Sequence, residues 1–120
     1  MIQKDYFGEG KNIEFKRQIP GNHEKFLKDI IAFSNSSGGK VILGIEDGTN
    51  VVYGIGDESP FKLSDSISNM ISDACMPQID PDISIQTVED KTILKFMMYG
   101  WRLLEHIYHQ LGLVLKKIFF

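Results

Sequence analysis

Lys11, Lys16, Arg17, Lys25, Lys28 and Lys40 concentrate in the first third of this 120-residue chain. Clustered ammonium and guanidinium groups do one kind of chemistry well: they neutralise phosphate oxygens. Lys16 and Arg17 follow each other at the end of a strand pattern, and Lys25 and Lys28 stand one helical turn apart. If the fold brings these segments together, they form a local cationic patch. The plainer reading is a set of solvated side chains, because the chain as a whole carries −3 and supplies no attractive field of its own. Gly38-Gly39-Lys40 invites comparison with a phosphate loop, but the order is wrong. These glycines follow a helix and lead into a strand, whereas phosphate cradles sit at helix starts and need a Ser or Thr after the lysine. No G-x-x-x-x-G-K-[ST] exists in the chain, and Gly54-Ile55-Gly56 lacks the third glycine of a dinucleotide loop. No autonomous ATP hydrolysis is expected. His23, His106 and His109 lack the accompanying ligands of a metal site. Ser34, Ser36 and Ser37 read as turn formers rather than nucleophiles.

The elements that must position these groups follow from hydrophobic spacing. Residues 1 to 10 are polar, contain Gly8 and Gly10, and are expected to be extended. Ile13 and Phe15 alternate with Glu14 and Lys16, the pattern of a half-buried strand. Pro20-Gly21-Asn22 ends it and offers Asn22 as a helix cap. Phe26, Leu27, Ile30, Ile31 and Phe33 mark one face of a helix over 23–35, which Gly38-Gly39 terminates with a left-handed cap. Val41-Ile42-Leu43 is a continuous apolar run, as in a strand covered on both faces. Asp47-Gly48 predicts a turn, with Val51 to Ile55 as the returning strand of a hairpin. A second amphipathic helix follows Pro60 and stops before Pro77 and Pro81. Two more strands, Ile83 to Val88 and Thr92 to Met98, are joined at Glu89-Asp90-Lys91. The expected fold is α+β: a mixed β-sheet with two main helices packed on it.

The ordered set Glu14, Lys16, Asn35, Gly38, Gly39, Gly44 and Asp47 resembles the Schlafen AlbA-type domain, over roughly residues 9 to 98. That family is associated with DNA-binding domains of transcriptional regulators and helicase-related proteins, and was formerly grouped with divergent AAA proteins. The resemblance implies a nucleic-acid-binding role in which Lys16, Arg17, Asn35 and Lys40 form the binding set. Lys16 and Lys40 would touch phosphate, while Asn35 and the glycines shape the loop. Ribonuclease members of the family hold a divalent metal on two glutamates five residues apart and a later aspartate. Glu9, Glu14 and Asp47 (or its neighbour Glu46) match that spacing and would be the catalytic and metal residues of the alternative reading. Three converging carboxylates suit Mg²⁺ or Mn²⁺, which prefer hard oxygen ligands, and the metal would activate water against a phosphodiester. The opposing reading is that these are solvated carboxylates of a strand and a turn. No other cofactor is implied.

Length and composition frame both readings. One domain fits in 120 residues, with 42% hydrophobic and 24% charged residues, as in ordinary globular chains. Cys75 is alone, which excludes an internal disulfide and fits a reducing compartment. The start lacks the basic-then-apolar pattern of a secretory leader and no stretch is long enough to span a membrane. A cytoplasmic location is expected, with no membrane partner. Residues 1–98 read as the domain and 99–120 as an atypical apolar tail. Leu103, Leu104, Ile107, Tyr108 and Leu111 could form an oligomerisation helix; a shifted reading frame is the competing account. A non-catalytic dimerisation module, homo-oligomerisation and downstream domains of a longer chain are the remaining expectations.

Overall fold

Phe26, Leu27, Ile30 and Ile31 are all buried, so the helical stripe read from their spacing is the face that packs. In the computed structural model this helix, α1, spans His23–Ser34. It lies between strands β1 (Ile13–Lys16) and β2 (Gly38–Leu43). A second helix, α2, covers Pro60–Ala74, and strands β3 (Asp82–Val88) and β4 (Lys91–Tyr99) complete the order. The structure describes residues 2–8, 12–19, 23–74, 81–100, 106 and 109–113. Asn22, Cys75, Glu9 and Lys11, together with most of the apolar tail, lie outside the described residues.

The strands form one mixed sheet in the order β1–β2–β4–β3. β1 runs parallel to β2, with Ile13 opposite Lys40 and Lys16 opposite Leu43. β4 inserts between β2 and β3, antiparallel to both. Glu89 and Asp90 both adopt positive φ, 50° and 61°, the conformation of a two-residue hairpin whose twist matches its strands.

Each face of the sheet has its own core. Val41, Leu43, Leu94, Phe96 and Met98 meet α1 and α2 through Phe26, Ile30, Ile67 and Ile71. The opposite face carries Ile13, Phe15, Ile42 and Ile93, covered by Ile2, Phe7, Ile45 and Val52. Full burial of such side chains contributes about 1.5–3 kcal/mol each before chain entropy is counted. This explains why Val41-Ile42-Leu43 is apolar without alternation. It also corrects the expectation for the N-terminal residues. Lys4–Phe7 forms a 3-10 turn whose Phe7 is buried, edge-on to Phe15 with ring centroids 5.9 Å apart.

The expected hairpin is corrected as well. After β2, only Ile45 and Val52 form a bridge, and Val51 to Ile55 is not a strand. β2 already has β1 on one side and β4 on the other, so no edge remains for a returning strand. Gly44, at φ 111°, turns the chain out of the sheet, and its carbonyl accepts from both the Tyr53 and Gly54 amides at 2.8 and 2.9 Å. The segment then crosses to β4, where the Ile55 amide donates to the Thr92 carbonyl at 2.9 Å.

Candidate nucleic-acid interface

Strand alternation decides where the predicted site residues go. Phe15 faces the N-terminal cover, so Glu14 and Lys16 on the same strand face α1. The Lys16 Nζ lies 3.2 Å from an Asp29 oxygen on α1 and 3.7 Å from Glu14. Only 12% of the Lys16 side chain is exposed. Its ammonium is therefore held by two carboxylates of its own chain.

Lys40 lies on β2 opposite Ile13, which puts it on the other face of the sheet. Its Nζ donates to the Phe7 carbonyl at 2.9 Å in a partly buried position. The sheet thus separates Lys16 and Lys40 instead of joining them in a patch. The reason is register: parallel partners share a face, and Lys16 has Leu43, not Lys40, beside it. Lys40 pins the N-terminal turn over its half of the core.

Asn35 ends α1, where its backbone amide donates to the Ile31 carbonyl at 2.8 Å. The turn it begins is tied by Asn12, whose Nδ2 donates to the Gly38 carbonyl at 2.8 Å. Gly38 has φ 90°, and a Cβ there would come within 2.6 Å of the Met98 carbonyl oxygen; the position requires glycine. This loop stands at the start of β2. Arg17 stands beyond the far end of β1, six residues of strand away, or about 20 Å.

At that far end the chain assembles a different group. The Arg17 guanidinium lies 3.8 Å from the ring centroid of Tyr53 and 3.7 Å from a Glu46 oxygen. Its side chain is 55% exposed, and Tyr53 is 42% exposed. Lys4 joins from the N-terminal turn, 3.5 Å from Asp47 and 5.5 Å from the Phe15 ring centroid. The hydrogen bond from the Ile2 amide to the Asn50 carbonyl, 2.9 Å, fastens the turn beside this loop. An arginine on an exposed ring, with a second cation nearby, can stack a base and contact its phosphate. Tyr53 was missed by the sequence reading, which placed it in a strand. A YG pair just after a DG turn is the one signal that it could be presented at a loop.

The carboxylates do not form a common centre among the described residues. Glu14 contacts Lys16 on the α1 face, whereas Asp47 contacts Lys4, which lies over Phe15 on the opposite face. Glu46 is engaged by Arg17 and by the Thr49 hydroxyl, which donates to it at 2.9 Å. No three His, Cys, Asp or Glu side chains among the described residues are placed to hold a metal ion. Glu14 and Asp47 therefore do not fit one Mg²⁺ or Mn²⁺ site between them, and Glu9 lies outside the described residues. His106 and His109 are exposed. No helix among the described residues is long and apolar enough to cross a membrane.

Comparison with known proteins bears on the fold and the family. A protein of Ureaplasma parvum described as ATP-binding is 34% identical over 92 residues, covering 71% of this chain and 24% of its own length. The chain thus spans about a quarter of that relative. Among solved structures, the N-terminal domain of a Nitrosomonas europaea protein, described as related to the ATP-dependent DNA helicase RecG, superposes with a TM-score of 0.56. The identity is 17%, over 74% of this chain and 61% of that one. A Corynebacterium diphtheriae protein gives a TM-score of 0.55 at 20% identity, over 74% of this chain and 18% of that one. These two likenesses show a shared fold. The family model described as Schlafen, AlbA_2 matches residues 9–105, and the chain belongs to that family.

Proposed function

We propose that this chain is a nucleic-acid-binding domain, working as part of a longer helicase-related or regulatory protein, and that it binds DNA through the Arg17–Tyr53 end of the sheet. The observation that carries the reading is the exposed Arg17 guanidinium lying on the exposed Tyr53 ring. The family membership and the helicase-related neighbour support it. Lys16 and Lys40, which the resemblance put forward as phosphate contacts, serve here as internal ties. Arg17 takes the phosphate contact, assisted by Lys4, and Asn35 shapes the distant loop.

With only Arg17 and Lys4 assigned to the contact at this end and a net charge of −3 on the chain, the expected affinity is weak and its salt dependence shallow, about one or two phosphate contacts. Single-stranded DNA is preferred, because a stacking ring can reach an unpaired base. The test is fluorescence anisotropy of a labelled oligonucleotide over a salt series. Arg17→Ala and Tyr53→Ala should each weaken binding about tenfold, and only Arg17→Ala should also flatten the salt slope. Unchanged affinity in both variants overturns the assignment. Binding should persist in EDTA; Mg²⁺- or Mn²⁺-dependent cleavage that Glu14→Gln abolishes would favour the three-carboxylate reading instead.

A further inference from the structure

β3 is a border strand of a different kind from β1. It has seven residues, Asp82-Ile83-Ser84-Ile85-Gln86-Thr87-Val88, about 24 Å of backbone. β4 pairs with one side of it along its whole length. Its other side has no strand partner among the described residues, so every second residue directs its N–H and C=O away from the sheet. Natural border strands are protected by lysines, prolines, bulges or brevity. β3 has none of these within its span; Pro81 stands just outside it. Its one charge, Asp82, accepts a hydrogen bond from the Tyr99 hydroxyl of β4. Ile85, at its centre, is 40% exposed.

We propose that β3 is the interface through which two copies of this chain dimerise, pairing antiparallel about a two-fold axis at Ile85 to form one eight-stranded sheet. The strand's own sequence selects a second copy as the occupant. With Ile85 opposite its counterpart, Ile83 faces Thr87 and Ser84 faces Gln86. Asp82 then faces Val88, and all seven residues find partners. Directly opposed residues share a face, so Ile83, Ile85 and Thr87 extend the layer that packs against the helices, where Ile83 already meets the core. Ile–Ile and Ile–Thr are favourable cross-strand pairs. The antiparallel arrangement puts the two Asp82 carboxylates at opposite ends, whereas a parallel one would set them side by side. The contact is isologous and closes at two copies. An edge contact this small is expected to dissociate in the micromolar range or above.

Sedimentation equilibrium of the chain over a concentration series tests this. The wild type should shift from one to two monomer masses, and Ile85→Lys should weaken association at least about tenfold while leaving the circular dichroism unchanged, since Ile85 is already exposed. Hydrogen exchange gives a readout that needs no variant: amides within 82–88 should gain protection as concentration rises. A wild type that stays monomeric at millimolar concentration overturns the proposal. So does a dimer that Ile85→Lys leaves intact, which would place the contact elsewhere in the chain. Protection of 82–88 that does not change with concentration also overturns it, since another segment would then occupy the edge.

Discussion

β1 and β3 both border the sheet, yet they expose opposite kinds of chemistry. β1 is four residues long, alternates buried Ile13 and Phe15 with Glu14 and Lys16, and runs into Arg17. Its charged residues are held against α1 or lifted onto Tyr53, which discourages strand addition and leaves one cation at the surface. β3 is longer, nearly uncharged and rich in β-branched residues, so it offers backbone and apolar side chains. One sheet thus ends in two unlike borders. The β1 border carries side-chain charge, which suits the proposed contact with a charged polymer, and β3, with one side unpaired among the described residues, suits the proposed self-association.

The largest expected effect removes both edges together. Leu43 lies on β2, against the helices, and Leu43→Asp would bury an unpaired charge at a cost of several kcal/mol. The chain should lose its cooperative unfolding transition in urea. A variant that folds normally would mean that β2 does not hold the two halves together.

A smaller effect separates internal ties from surface cations. Lys16→Ala leaves Glu14 and Asp29 without their shared cation. Both carboxylates remain about a third exposed, so water recovers part of the loss. The expected cost is about 1 kcal/mol, read as a lower urea midpoint. Lys25→Ala, on the exposed side of α1, should stay within about 0.5 kcal/mol. Equal costs would dissolve the distinction drawn between held and displayed lysines.

Arg17→Lys sharpens the account of the β1 edge. It keeps the charge but loses the flat guanidinium that stacks on Tyr53, so the salt slope should persist while affinity falls a few-fold in anisotropy.

The smallest effect concerns β3. The hydrogen bond that Tyr99 donates to Asp82, and then the negative charge of that carboxylate, raise the tyrosine pKa. A raised folded-state value means that the bond's contribution to stability is fully present below the ordinary tyrosine range. It is lost as pH rises through the raised value. Ultraviolet titration should show Tyr99 ionising above the ordinary tyrosine range, and Asp82→Asn should remove the delay.

Much of the fold was legible in the sequence because it depends on local spacing. The α1 stripe, the apolar run of β2 and the β3–β4 pair follow from periods that one segment carries by itself. What failed depends on neighbours. Val51 to Ile55 has the composition of a strand, but β2 has no side left to pair with it. Lys16 and Lys40 looked like one patch because alternation gives a side chain's face only after the register between strands is known. Ile2 and Phe7 were too few in a polar segment to announce that they cover the second core. Tyr53 was hidden for the same reason as the failed hairpin: a loop residue had been read as a strand residue. Arg17 was legible by type, but its partner was not.

The central claim is that nucleic acid is bound at the Arg17–Tyr53 end and not along β3. Amide chemical-shift mapping by NMR, during titration with a short single-stranded DNA oligonucleotide, tests it most directly. The predicted result is that the largest perturbations fall at Lys4, Arg17 and residues 46–53, with 82–88 unmoved at constant protein concentration. Perturbations centred on 82–88 or on the Asn35–Gly38 loop, with Arg17 and Tyr53 unmoved, would contradict it.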